Sequence, residues 1–184
     1  LKAVKLLIGA GANVKAQETW GKSALMLAAE GGHVPVAEFL LKSGAKVNRV
    51  IPGTGTALSA AAEAGQQNMM KFVLTAGAKP NSKVAGVGTP LICAAKVGQV
   101  PAMSLLLKND ADIDAQQPGV GTPLSNAARN GELEAMSLLL SEQVPLNTKV
   151  DGVGTALSVA IRGEQPKAVK LLLDAGAEVN APVQ

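Results

Sequence analysis

The sequence predicts an all-α solenoid, a row of stacked two-helix units, on three observations. Leu25, Leu58, Leu91, Leu124 and Leu157 fall 33 residues apart without a slip. Each closes a matching phrase: Ser23-Ala24-Leu25, Thr56-Ala57-Leu58, Thr89-Pro90-Leu91, Thr122-Pro123-Leu124 and Thr155-Ala156-Leu157. Self-similarity at a period of this size marks repeats that bury their apolar faces against one another. Aromatics make up only 2% of a chain that is 47% hydrophobic, so the core is aliphatic and small, which suits thin helices packed closely. A stack of this kind is first a shaped surface.

Aligned on the leucines, the chain is a single domain, 1–184, with a partial unit 1–17 followed by units 18–50, 51–83, 84–116, 117–149 and 150–182. The third unit shows the logic of each element in turn. Thr89 can accept from the free N–H groups at a helix start, and Pro90 fits the first turn, where no donor is needed. Ala94 and Ala95 let a neighbouring helix approach, and Gly98 suits the helix end. A second helix follows Val100-Pro101, with Met103, Leu105, Leu106 and Leu107 as its apolar stripe. Proline recurs at the same place as Pro35 and Pro166. Closing phrases such as Ser43-Gly44-Ala45-Lys46-Val47-Asn48 and Ala175-Gly176-Ala177-Glu178-Val179-Asn180 end the second helix on glycine. Asn there can satisfy backbone groups in the following turn.

Gly21-Lys22-Ser23-Ala24-Leu25, Ala28-Ala29-Glu30-Gly31-Gly32-His33 and Phe39 through Asn48 together resemble an ankyrin repeat along its length. The resemblance covers essentially the whole chain, in five near-complete copies plus the second helix of another, Leu1 to Ile8. It implies a curved stack of antiparallel helix pairs with β-hairpin-like loops projecting at right angles. It also implies a non-catalytic protein-binding module. In that family His33 stands at a structural Gly-His place, which implies hydrogen bonding between loops.

The chain departs from the family in its turns. Only the first full unit keeps the usual form, with Glu18 for the common Asp and one glycine, Gly21. The next four carry Gly53-Thr54-Gly55, Gly86-Val87-Gly88, Gly119-Val120-Gly121 and Gly152-Val153-Gly154, while Ile51, Val84, Gln117 and Val150 replace the Asp. Paired glycines permit a tight turn with positive φ. If the turns sit side by side, Trp20, Thr54, Val87, Val120 and Val153 form a row at the loop tips, and exposed apolar residues in line suggest contact with a partner. A phosphate loop is the weaker reading: it follows a strand, precedes a helix and places a Lys on the phosphates, whereas Thr-Pro-Leu or Thr-Ala-Leu follows here. The first-helix positions that face the concave side in the family map onto Glu30, Glu63, Lys96, Arg129 and Arg162. The groove is then acidic at one end and basic at the other, with Lys83 and Lys149 adding to the basic half; such order sets orientation and on-rate.

No reaction chemistry is legible. His33 is the only histidine and Cys93 the only cysteine, so neither a disulfide nor a zinc cluster can be assembled. Cys93, between Ile92 and Ala94, reads as a small hydrophobe. No nucleophile elbow is present. The net charge of +3 is mild and stacking aromatics are missing, which argues against nucleic acid. No run approaches the roughly 18 apolar residues of a membrane helix. The sequence therefore predicts a monomeric, cofactor-free, metal-free protein-binding scaffold, one form being an inhibitor or immunity factor of a partner enzyme. The alternative is a targeting or structural segment of a larger protein, since Leu6, Leu7, Ile8 and Leu171 to Leu173 read as uncapped. The expected compartment is the cytoplasm, with a periplasmic or secreted location as the alternative.

Overall fold

The computed structural model describes residues 1–14 and 21–179. Among these run eleven α-helices: α1 Lys2–Gly9, α2 Ala24–Glu30, α3 Val34–Lys42, α4 Ala57–Glu63, α5 Gln67–Thr75, α6 Pro90–Lys96, α7 Val100–Leu107, α8 Pro123–Asn130, α9 Leu133–Ser141, α10 Ala156–Arg162 and α11 Pro166–Asp174. The first helices of the units, α2, α4, α6, α8 and α10, pack side by side in one layer, and α3, α5, α7, α9 and α11 form a second layer against them. Among the described residues the chain is helical, with isolated bridges and no sheet.

The register leucines explain the layering. Leu25, Leu58, Leu91, Leu124 and Leu157 are 4%, 1%, 0%, 1% and 4% exposed and lie in one continuous core. Ala28 and Ala29, with their counterparts Ala61 and Ala62, Ala94 and Ala95, and Ala127 and Ala128, are buried beside them. Small side chains there allow close helix approach, and each buried Leu contributes about 1.5–3 kcal/mol.

Each first helix begins as its sequence dictates. The Ile92 N–H donates to Thr89 Oγ1 at 3.3 Å, and Pro90 occupies the first turn. Thr56 with Ser59, and Thr122 with Ser125, form reciprocal capping boxes. Two orphan donors are satisfied at once in each. Seven-residue helices such as α4 are too short to persist alone, so caps and stacking hold them.

The units are also pinned along the outer edge, in a way the sequence reading placed differently. Asn48 does not serve its own following turn. It donates to Gly77 O at 2.8 Å and accepts from the Lys79 N–H at 2.8 Å, so it bridges to the next unit. Asn81 repeats this with Asp110 O and the Asp112 N–H. At the next interface the register position holds Asp114, and the expected N–H donor is replaced by Pro145. Asp114 Oδ1 is left buried without a partner, while Thr148 donates to Oδ2 at 3.0 Å.

That broken bridge gives a prediction. Burial raises the Asp114 carboxyl above its ordinary value, opposed by the hydrogen bond from Thr148. A raised acid costs the folded state stability above its folded pKa, and the cost vanishes as pH falls through it. Asp114→Asn restores a donor toward the Gln143 carbonyl, the counterpart of Gly77 O. It is expected to stabilise the protein by about 1 kcal/mol at neutral pH. Urea titrations across pH check the sign: the gain shrinks on acidification.

His33 does not bond between loops. Its exposed ring folds back over Gly31, within 2.9 Å of where a Cβ would stand, and makes no side-chain hydrogen bond among the described residues. Inter-unit contact at this level comes instead from Gln66, Gln99 and Gln165, whose carboxamide oxygens lie against Gly32, Gly65 and Gly131 of the preceding unit. Leu6 and Leu7 are exposed, as the sequence suggests, but Leu172 is fully buried and Leu171 half-buried, leaving Leu173 the exposed one of that trio.

Candidate functional site

The turns are five-residue loops closed by a single antiparallel bridge, a minimal hairpin. In one, the Val84 N–H donates to Gly88 O at 3.0 Å, and the Gly88 N–H returns the bond to Val84 O at 2.8 Å. Gly86 and Gly88 hold φ of 74° and 99°. Three of the four side chains that replace the family Asp anchor their loops by burial, because Ile51, Val84 and Val150 are 4%, 1% and 4% exposed, while Gln117 is half-buried. An apolar anchor thus does the work of a carboxylate acceptor.

Loop tips lean on their neighbours at Gly55 and Gly121. Val87 Cγ1 stands 3.7 Å from where a Cβ on Gly55 would project, and Val153 Cγ1 stands 3.3 Å from that point on Gly121. The Gly119 N–H donates to Asp151 O at 3.1 Å across two loops. Hence the tips are not the open apolar row that the sequence suggests. Val153 is 3% exposed, and Thr54, Val87 and Val120 are half-buried. At Gly55 and Gly121 the second glycine of the turn leaves room for the next tip, which covers it. Trp20 lies outside the described residues.

Between the tips and the first helices runs a groove of about 360 Å³. Thr54, Val87 and Val120 line one wall with Gly53, Gly86 and Gly119, and Glu63, Lys96 and Arg129 line the other, with Cys93 and Asn126 between. Six residues singled out from the sequence therefore meet in one cleft. Glu30 shares an adjoining cavity of about 250 Å³ with Lys22, Thr54 and Glu63. Arg162 lines another, of about 220 Å³, with Lys149, Asp151 and Val153.

The charged positions differ in availability. Lys22 Nζ lies 2.6 Å from Glu30 Oε2, a partly exposed pair worth at most about 1 kcal/mol. The Arg162 guanidinium donates to Val153 O, which ties it to its own turn. Glu63, Lys96 and Arg129 make no ion pair or side-chain hydrogen bond among the described residues. Each is at or next to the C-terminal residue of its helix, where a cation is favoured and a carboxylate is not. Helix stability accounts for Lys96 and Arg129; it does not account for Glu63.

Asn126 is a groove residue that the sequence reading missed. It donates to Val120 O at 3.0 Å and Thr122 O at 2.9 Å, which occupies its amide hydrogens and leaves its carbonyl as an acceptor. The signal was present: its register counterparts are Leu27, Ala60, Cys93 and Val159, so a polar residue there breaks the pattern. Cys93 is 4% exposed, and burial pushes its thiol up to about 12, with the Glu63 charge adding and Lys96 opposing. Since the thiolate is the nucleophile, Cys93 is expected to resist iodoacetamide at pH near 8 until the chain unfolds. Intact-mass kinetics with and without denaturant check this; rapid labelling of the folded protein contradicts it.

No helix among the described residues is long and apolar enough to cross a membrane. The chain matches the family model described as ankyrin repeats (3 copies) over two stretches, residues 1–84 and 91–182. The ankyrin repeat domain of human ASB11, known from a crystal structure, is similar at 30% sequence identity and a TM-score of 0.74, the match covering 86% of this chain and 72% of that one. No curated protein matches the chain. Ankyrin repeats are generic scaffolds for protein–protein interaction, and on the family match and the fold together this chain belongs to the ankyrin-repeat family.

Proposed function

We infer that this chain is a non-catalytic scaffold that docks one partner protein in the groove between its first helices and its turns. The observation that carries the reading is the set Glu63, Lys96 and Arg129, three charges on successive units that line one cleft and have no partner within the described chain. Long charged side chains are normally solvated singly. Here they are ordered by sign along a concavity, which favours one orientation of a complementary partner. Glu30 and Arg162 extend the order at either end, and Thr54, Val87 and Val120 supply a partly apolar opposite wall. Trp20, outside the described residues, stands at the register of Gly53, one place before that of Thr54, and joins the proposed contact surface from the sequence alone. A stable complex buries about 1,200–2,000 Å² in total, an area that several adjacent units can provide. A partner enzyme whose active-site rim sits in the groove is thereby inhibited, which is the regulatory form of this reading. Affinity capture from the native source with the wild-type chain and with Lys96→Glu/Arg129→Glu tests it. A partner retained by the wild type and lost by the variant supports the groove; equal retention removes it.

A further inference from the structure

We propose that the groove receives an extended, polyproline-II-like segment of the partner, carrying one basic and two acidic side chains at three-residue spacing. This deepens the reading above and rests on it. Glu63, Lys96 and Arg129 hold one register position in three consecutive units, on α4, α6 and α8, which pack side by side. Neighbouring packed helices are about 8–10 Å apart. A polyproline II chain has three residues per turn and rises about 3.1 Å per residue, so every third side chain returns to the same face after about 9 Å. The two periods match. A β-strand does not fit as well, because its alternation sends residues three apart to opposite faces.

The rest of the cleft suits a bare backbone. On the turn wall a Cβ added at Gly53, Gly86 or Gly119 would meet nothing within 4 Å beyond its chain neighbours, so between the adjoining Thr54, Val87 and Val120 side chains a partner main chain can approach at three levels. Polyproline II makes no internal hydrogen bonds, and its N–H groups need acceptors. The Asn126 carbonyl, released by the two bonds its amide already makes, is one such acceptor between the two walls. The sign order Glu63, Lys96, Arg129 calls for basic, acidic, acidic in the segment.

Fluorescent peptides test this by anisotropy. Lys-Pro-Ala-Glu-Pro-Ala-Glu and its reversed order carry the proposed spacing, because the segment can run either way. A charge-inverted peptide and one with the same charges at alternate positions are the controls. One of the two orders is expected to bind about tenfold more tightly than both controls. Lys96→Glu/Arg129→Glu is expected to reverse the preference toward the charge-inverted peptide, with unchanged circular dichroism. Equal binding by the alternate-spacing control, still lost in the variant, overturns the segment but keeps the groove. Binding that ignores the variant overturns both. Failure of every peptide at millimolar concentration, or full competition by a short oligothymidylate, overturns the segment alone.

Discussion

Leu91→Ala is expected to lower the unfolding free energy by about 3 kcal/mol, the loss of a fully buried leucine plus the cavity it leaves. Leu91 is 0% exposed on α6, whose helix packs on both α4 and α8. In a stacked array stability is a sum of unit and nearest-neighbour interface contributions, so damage at the middle unit weakens two interfaces together. Against a whole-domain stability of about 5–15 kcal/mol this is a large fraction. The urea transition should shift to lower concentration and split, as the flanking units lose their coupling. Leu173→Ala, at a side chain 42% exposed, is the control, expected to cost well under half as much. Equal effects at the two positions contradict the core described above.

Lys96→Glu/Arg129→Glu carries the second large expectation. Reversing both charges is expected to weaken partner affinity by about tenfold to a hundredfold, read by calorimetry, with the loss shrinking at high salt. Lys108→Glu, at an exposed cation that ends α7 in the other helix layer, should leave affinity within about twofold. Arg162 is a poorer site for this experiment, because changing it also removes a donor from the Val153 turn.

The fold was legible because a repeat states each physical requirement four or five times. Leucine, the alanine pair and the threonine cap each recur at one register, and each is found buried or bonded as its chemistry demands. The groove was legible for the same reason: one register position gave Glu63, Lys96 and Arg129. What escaped was pairing between registers. Local spacing gives no sign that Asn48 bonds a unit 29 and 31 residues ahead, that the His33 ring folds back over Gly31, or that Lys22 neutralises Glu30. The exposure of the tips is not legible because a loop seen alone has no neighbour; Val153 packs over Gly121 of the previous turn, where a Cβ would crowd it. Asn126 and Asp114 are legible only as departures, the one polar and the one charged residue at registers held otherwise in the other units.

Hydrogen exchange of the chain with and without its captured partner tests the central claim most directly. The groove account predicts that slowed exchange concentrates in the turns 53–55, 86–88 and 119–121 and at the C-terminal ends of α4, α6 and α8. Protection confined to the outer layer, α5, α7 and α9, with those turns unchanged, contradicts it.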